Sequence, residues 1–348
     1  MTLVSRKPTT RACLAARFLR LALCVSLSFL AQSAVKTKKA RKCEFGQEPG
    51  FWNVDKYVLF NETCTLQPIL RAILAAQRKQ ASVPTSQKAR VLSIGDSIDR
   101  KLISVLTEEV GQEMEYYAPM KYKTLPSGRQ KPEQTGKDAR VTVGPVEFAN
   151  FFIFGAGDAN YFSLFSEAAA IPALHNTTTE RVCVDAPLYT KSFMPQGPDM
   201  LILASNFWDV ARWWEQGYAL SPEENLREQI VDRYLSDVER LMDNAKKCFP
   251  GASVYCWRTH PNLATDNRNK HYASKRPHVV AALNQAGREA ASRKGWCLLD
   301  FDQMVEGHAN ERLWVPDGLH PGGFVMMQYA NVVLNTLYQA KQWEVPRD

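Results

Sequence analysis

Two short stretches, far apart in the chain, carry residue types suited to acyl transfer. One is Gly95-Asp96-Ser97 in "VLSIGDSIDR"; the other is Asp317 to His320 in "VPDGLHPGGF". A serine hydroxyl is a weak nucleophile until a base takes its proton. His320 is the candidate base, and Asp317, three residues earlier, is placed to bond the other ring nitrogen and fix the tautomer. Charge would then build on a carbonyl oxygen, which needs donors already aimed at it. The candidates are the Ser97 backbone N–H, a backbone N–H at Gly155 or Gly157 in "FGAGD", and the Asn206 amide in "ASNFWD". Gly95 permits a tight turn. Asp96 is expected to brace that turn by accepting nearby N–H groups, outside the chemistry itself.

These residues need elements to bring them together. Five apolar runs recur: "RVLSI" at 90–94, "FANFFIF" at 148–154, "MLILAS" at 200–205, "SVYCWR" at 253–258 and "WCLLD" at 296–300. Their brevity and β-forming content fit strands buried on both faces. Helical patterns lie between them. "SPEENLREQIVDRYLSDVERLMDNAKKC" opens with a capping box and a proline at the first helical position. "HVVAALNQAGREAASRKG" and "GGFVMMQYANVVLNTLYQAKQW" read as two more helices, and a short one falls near 66–78. Alternation of this kind predicts an α/β fold, a parallel five-stranded sheet with helices on both faces. Ligands of such sheets bind beyond the carboxyl ends of the strands. Every candidate above follows a strand and so falls on that rim. His260 also follows one, but the adjacent Pro261 marks it as a loop histidine without a role. His175, His271, His278 and His308 lie in polar surroundings and read as solvated. Asn206 has a second reading as a helix cap.

The chain has 348 residues, 45% hydrophobic and 23% charged, which suffices for a large core. Residues 1–34 carry five basic residues and no acid, then the uncharged run "LALCVSLSFLAQSAV". That layout is a signal peptide. The run is shorter than a spanning helix of about 20 residues, and retention as a single-pass type II anchor is the alternative. Residues 35–42 form a basic linker. Residues 43–88 form an N-terminal extension with two cysteines, and 89–342 a catalytic domain with a polar insertion at 113–147. Beyond residue 34 the chain has 38 basic against 36 acidic residues, so the leader carries five of the seven net positive charges and the rest is nearly neutral. No basic stripe interleaved with aromatics occurs in the body, which excludes a nucleic-acid partner.

Outside the leader stand Cys43, Cys64, Cys183, Cys248, Cys256 and Cys297. An even count in an oxidising compartment suggests disulfides, and six cysteines allow fifteen pairings. Cys43 with Cys64 is attractive because both lie ahead of the first strand. Cys256 and Cys297 sit in apolar runs and read equally as buried thiols. With no C-x-x-C pair, neither a zinc site nor any other cofactor is expected. Asn61-Glu-Thr and Asn176-Thr-Thr are glycosylation sequons.

"GDSIDR", "SNFWDVARWW", "VYCWRTHP" and "DGLH" together resemble the motif blocks of SGNH/GDSL-type hydrolases. The narrower resemblance is to the PC-esterase family, which includes the plant trichome-birefringence-like polysaccharide O-acetyltransferases. "CEFGQEPGFWNVDKYVLFNETC" is similar to the opening of the plant branch, so the likeness runs over about 43–340. It implies a flavodoxin-like three-layer α/β/α sandwich and a Ser97–His320–Asp317 triad. It also implies an oxyanion hole of Asn206 and one of the two glycines. Arg100, Trp208, Trp213 and Arg258 become candidates for substrate contact. The tryptophans, Trp214 among them, either stack on sugars or belong to the scaffold. After its histidine the chain reads Pro-Gly-Gly-Phe, where the plant branch has Trp-Cys-Leu-Pro; that tail is nearer to ordinary GDSL esterases.

The expected function is a secretory-pathway serine esterase or O-acyltransferase, secreted or in the Golgi lumen. Its substrate would be an acyl, above all acetyl, ester of a glycan. The alternatives are a non-catalytic glycan-binding protein on the same fold and a lipid esterase.

Overall fold

The computed structural model describes residues 42–79, 88–117, 121–124, 130–133, 138–158, 177–215, 228–262, 264–266 and 277–343. The leader, most of the linker, the capping box at 221–224 and Asn176 lie outside these residues. The chain divides into two units, Met1–Cys43 and Glu44–Asp348, and the described strands and helices belong to the second.

Among the described residues the first elements are a hairpin, β1 (Gly50–Asn53) and β2 (Lys56–Leu59), then helix α1 (Ile69–Arg78). Next come β3 (Ala89–Gly95), α2 (Ser97–Val110) and β4 (Glu115–Tyr116). A second hairpin, β5 (Lys121–Thr124) and β6 (Gln130–Glu133), leads to β7 (Ala139–Val143) and β8 (Val146–Phe152). A helical stretch over 178–190 precedes β9 (Met200–Leu203) and α3 (Phe207–Glu215). The last elements are α4 (Glu228–Cys248), β10 (Val254–Arg258), α5 (Pro277–Lys294), β11 (Cys297–Leu299) and α6 (Gly323–Lys341).

The main sheet has seven strands in the order β11-β10-β9-β3-β8-β7-β4. The five strands expected from the apolar runs are present and parallel. The other two, β7 and β4, add antiparallel to the β8 edge. They fall within 113–147, read from sequence as a polar insertion. In β7, Ala139, Val141 and Val143 are buried and alternate with Arg140 and Thr142, a period-two pattern that pairs the strand with β8.

From β3 the chain crosses to β8 on one side and then returns past β3 to β9 on the other. This is the flavodoxin-like order, and the reversal opens a crevice at the carboxyl end of β3. On one face Leu92, Ile94, Phe151, Leu201 and Leu203 pack with Tyr234 and Val238 of α4 and Val279 and Leu283 of α5. On the other, α6 packs against α1 and α2. The N-terminal N–H groups of α1 lack a cap from their own turn. Two asparagines of α6 supply acceptors: Asn335 takes the Gln67 N–H and Asn331 the Leu70 N–H.

Disulfides tie Cys183 to Cys248 and Cys256 to Cys297. Cys256 and Cys297 are register partners on β10 and β11, which explains why two cysteines in apolar runs are bonded. Cys43 and Cys64 are disulfide-bonded as well.

Candidate active site

Ser97 is the first residue of α2. The preceding Asp96 caps the helix by accepting the Ile98 N–H at 3.0 Å, while Asp99 accepts the Asp96 N–H at 3.2 Å. This reciprocal box fixes the turn. It also demands glycine at 95, where a Cβ would lie 1.9 Å from Asp99 Oδ2. The Ser97 N–H is among the first-turn donors that α2 itself leaves without a partner, at the positive end of the helix.

Behind the turn lies a buried charged cluster. Arg258, at the end of β10, donates to both oxygens of Asp99 at 3.1 and 2.7 Å. It donates also to the Thr259 carbonyl and lies 3.5 Å from Asp96. Burial opposes the Arg258 charge, but the two acids outweigh it and hold the guanidinium firmly protonated. His260 Nε2 lies 2.6 Å from Asp96 Oδ2, with its ring edge-on to Phe207. Burial lowers the His260 pKa, so the ring is neutral near pH 7 and donates Nε2–H to the carboxylate. Burial alone would raise Asp96; His260 and Arg258 overcome it and hold the carboxyl well below its ordinary range.

This arrangement corrects two sequence readings. His260 is fully buried against the Ser97 turn, where it bonds Asp96, not a loop histidine without a role. Arg258 is fully buried on Asp99 and does not face a substrate.

Asp317 and His320 sit together on the loop ahead of α6. His320 Nε2 is 2.9 Å from Ser97 Oγ, and His320 Nδ1 is 2.7 Å from Asp317 Oδ2. The other Asp317 oxygen takes the backbone N–H groups of Leu319 and His320 at 2.9 and 2.7 Å. Burial works against the Asp317 charge, but the His320 ring and these N–H groups hold its carboxyl well below the usual range. The loop is pinched shut where Gly322 N–H donates to the Trp314 carbonyl at 2.6 Å. A Cβ at Gly322 would meet the Leu313 carbonyl at 2.5 Å. Side-chain exposure is 25% for His320 and 56% for Asp317, so the pair is open to water.

The glycine segment after β8 forms the opposite wall. Gly155 has a φ of +112°, a conformation glycine adopts readily. Gly157 leaves no room for a side chain, since a Cβ would lie 2.4 Å from the Arg212 guanidinium. Asp209, fully buried at the start of α3, accepts the Ala156 N–H at 2.9 Å and also the Gly157 N–H. It also bonds the Ser205 hydroxyl, and burial raises its pKa to about 7. The Gly157 N–H is thus taken up by Asp209, which leaves Gly155 of the two glycines. The Asn206 amide donates to the Val280 carbonyl and to Asn284 Oδ1, both at 3.1 Å. Both its hydrogens hold α5 against β9, so this side chain is not the expected donor.

Of the remaining predicted residues, Trp213 is buried in the core beside Tyr234 and is scaffold. Trp208 is half-buried, edge-on to Phe154 at 4.9 Å and Phe152 at 6.0 Å. The Arg100 guanidinium lies 5.8 Å over the same Phe152 ring, one helical turn from Ser97. Arg100 and Trp208 therefore share one aromatic neighbour, while Arg258 and Trp213 lie beneath. The Trp214 side chain is outside the described residues. Asn61 accepts both the N–H and the hydroxyl of Thr63.

Sequence reading passed over Asp99, His260 and Asp209. For Asp99 the signal was the acid-x-x-acid spacing of a capping box. No local pattern marks the other two. Among the described residues no group of three His, Cys, Asp or Glu side chains is gathered to hold a metal. Among the same residues no helix is long and apolar enough to cross a membrane.

No protein-family model matches the chain, and no curated protein does. Solved structures do. A GDSL-like lipase from Bacteroides thetaiotaomicron is 11% identical, with 78% of this chain and 98% of that one covered and a TM-score of 0.40. An acetylxylan esterase from Geobacillus stearothermophilus is 13% identical over 75% and 97%, at 0.38. A lipase/acylhydrolase from Enterococcus faecalis is 12% identical over 75% and 100%, at 0.37.

Proposed function

We propose that the chain is a serine esterase of the SGNH/GDSL type that cleaves acyl esters through an acyl-Ser97 intermediate. One observation carries this reading: an unbroken line from Asp317 to His320 at 2.7 Å and from His320 to Ser97 at 2.9 Å. His320 takes the serine proton as Oγ bonds to the acyl carbon. The carbonyl electron pair moves to oxygen and is met by the N–H groups of Ser97 and Gly155, each worth about 3 kcal/mol of barrier. Collapse breaks the ester C–O bond, and the leaving alkoxide takes the proton from His320. Water or an acceptor hydroxyl then attacks the acyl carbon as His320 takes its proton; the Ser97 Oγ–acyl bond breaks, His320 returns the proton to Oγ, and the acid or the new ester departs. Asp317 stays ionised throughout and stabilises the imidazolium.

Hydrolase and acyltransferase share these steps and differ in whether water is kept out. The exposure of Asp317 and His320 favours water, hence hydrolysis. The PC-esterase resemblance, with half-buried Trp208 and Arg100 beside the rim, supports an acetylated glycan as substrate. The basic-then-apolar leader and the oxidised cysteines support the secretory pathway, as a secreted or Golgi-lumenal protein, with a type II anchor if the leader is retained. Asn61 and Asn176 would then carry glycans.

The test is a fluorophosphonate probe together with turnover of p-nitrophenyl acetate, acetylated glycans and phospholipids. An adduct on Ser97 is expected, with label and turnover both lost in Ser97→Ala while the melting temperature holds. A folded chain that takes no label is the glycan-binding alternative, and turnover confined to phospholipids is the lipid-esterase alternative.

A further inference from the structure

The β1–β2 hairpin stands apart from the catalytic cluster yet builds a second concavity. A groove of about 600 Å3 runs between it and the segment 303–314. Phe51 and Phe60 form one wall, their rings stacked at 5.5 Å. They are 45% and 62% exposed, in a chain that buries most of its other large apolar side chains. Trp52 and Trp314, edge-to-face at 4.6 Å, form the floor. Gln303 and Glu306 supply polar groups along the opposite side.

The groove is preformed. Trp52 Nε1–H donates to the Met304 carbonyl at 2.5 Å, Phe60 N–H to Pro49, and Asp300 N–H to Gly46. The Trp52 bond fastens the hairpin to the segment it faces, the Phe60 bond closes the hairpin on itself and the Asp300 bond holds the chain entering it, so little ordering cost remains for a ligand. It is also continuous with the catalytic rim. Trp314 is both the floor of the groove and the closing point of the loop that carries Asp317 and His320. Asp317 is three positions after Trp314, at most about 11 Å between Cα atoms.

The lining selects a class of ligand. Exposed aromatic faces beside an amide and a carboxylate suit a molecule with an apolar face and a hydroxylated edge. Gln303 and the exposed Glu306 offer a fatty acyl chain no contact, whereas hydroxyl groups can hydrogen-bond both. We infer that this groove is a subsite for neutral saccharide units, which stack on Phe51 and Phe60, hydrogen-bond Gln303 and Glu306, and belong to the glycan whose ester reaches Ser97. The inference rests on the esterase reading only for its last clause.

Binding and turnover are therefore measured separately. The full chain carrying Ser97→Ala is applied to an array of neutral and acetylated oligosaccharides and to phosphatidylcholine vesicles. Binding to an oligosaccharide is expected, weakened about tenfold or more when Phe51→Ala and Phe60→Ala are added. Both side chains are exposed, so the fold should survive. With Ser97 restored, the Phe51→Ala/Phe60→Ala chain should hydrolyse p-nitrophenyl acetate as the parent does. Absence of oligosaccharide binding, binding to vesicles alone, or binding indifferent to the two phenylalanines overturns the subsite. Saccharide binding that depends on them, in a chain without esterase activity, leaves the subsite standing and removes the esterase.

Discussion

Arg258→Met is the most discriminating single change to the buried cluster. Methionine keeps much of the volume and removes the guanidinium. It deletes the two bonds to Asp99 at 2.7 and 3.1 Å, the bond to the Thr259 carbonyl and the attraction to Asp96. Asp96 keeps His260 and the Ile98 N–H, whereas Asp99 keeps only its bond from the Asp96 N–H among the interactions described here. Breaking a buried pair in this way costs about 3–5 kcal/mol, because a charge stays buried without its partner. The melting temperature should fall on the order of 10 °C. The urea midpoint should fall with it while the slope stays constant. Arg258→Met/Asp99→Asn should recover part of the loss, since the orphaned carboxylate is gone, although the capping bond weakens. The assay is urea and thermal melting of the four chains of this cycle. Strictly additive losses, or an Arg258→Met chain as stable as the parent whose only defect is a raised KM, would show that Arg258 meets substrate and that the brace is misassigned.

Asp317→Asn should lower kcat by about four orders of magnitude with little effect on KM, because the amide no longer selects the His320 tautomer; steady-state kinetics on an aryl acetate checks this. Asp209, raised by burial from 3.8 to about 7, binds a proton in the folded chain that the unfolded chain has released across that interval. Stability should therefore fall as pH rises from 4 to 7, by at most about 4 kcal/mol from this group and less given Arg212 at 3.5 Å. Asp209→Asn should flatten that limb in urea titrations, and superimposable pH profiles would contradict the assignment. Replacing Cys183 and Cys248 by serine together opens a link across 65 residues. That should cost about 4 kcal/mol in reversible urea unfolding under non-reducing conditions.

The parallel strands were legible because a strand buried on both faces has to be apolar along its whole length, and "RVLSI" and "MLILAS" are. β7 was less so, since only Ala139, Val141 and Val143 face the core and a polar, lysine-rich tract precedes them. Ser97, Asp317 and His320 stood out by residue type and by place, one after a strand and two ahead of the last helix, and the structure brings them within hydrogen-bond distance. What sequence could not convey was direction. Asn206 lies just past a strand and Arg258 at the end of one, as a functional residue would, yet each turns inward to satisfy a buried partner. His260 was discounted because Pro261 suggests a loop. The loop is there, but the side chain points back beneath the serine turn, and only the packed sheet brings Asp96 within 2.6 Å of it.

In the proposed triad, Asp317 and His320 form one locally bonded unit. Acid and imidazole are anchored to each other within four consecutive residues, by a side-chain contact and by main-chain bonds of the same turn. Swinging that turn away from the sheet would therefore lengthen a single gap, the one to the hydroxyl, and leave the ring oriented for its return. On the proposed mechanism, a displacement of this turn would therefore be felt at the Ser97–His320 separation and not within the Asp317–His320 pair.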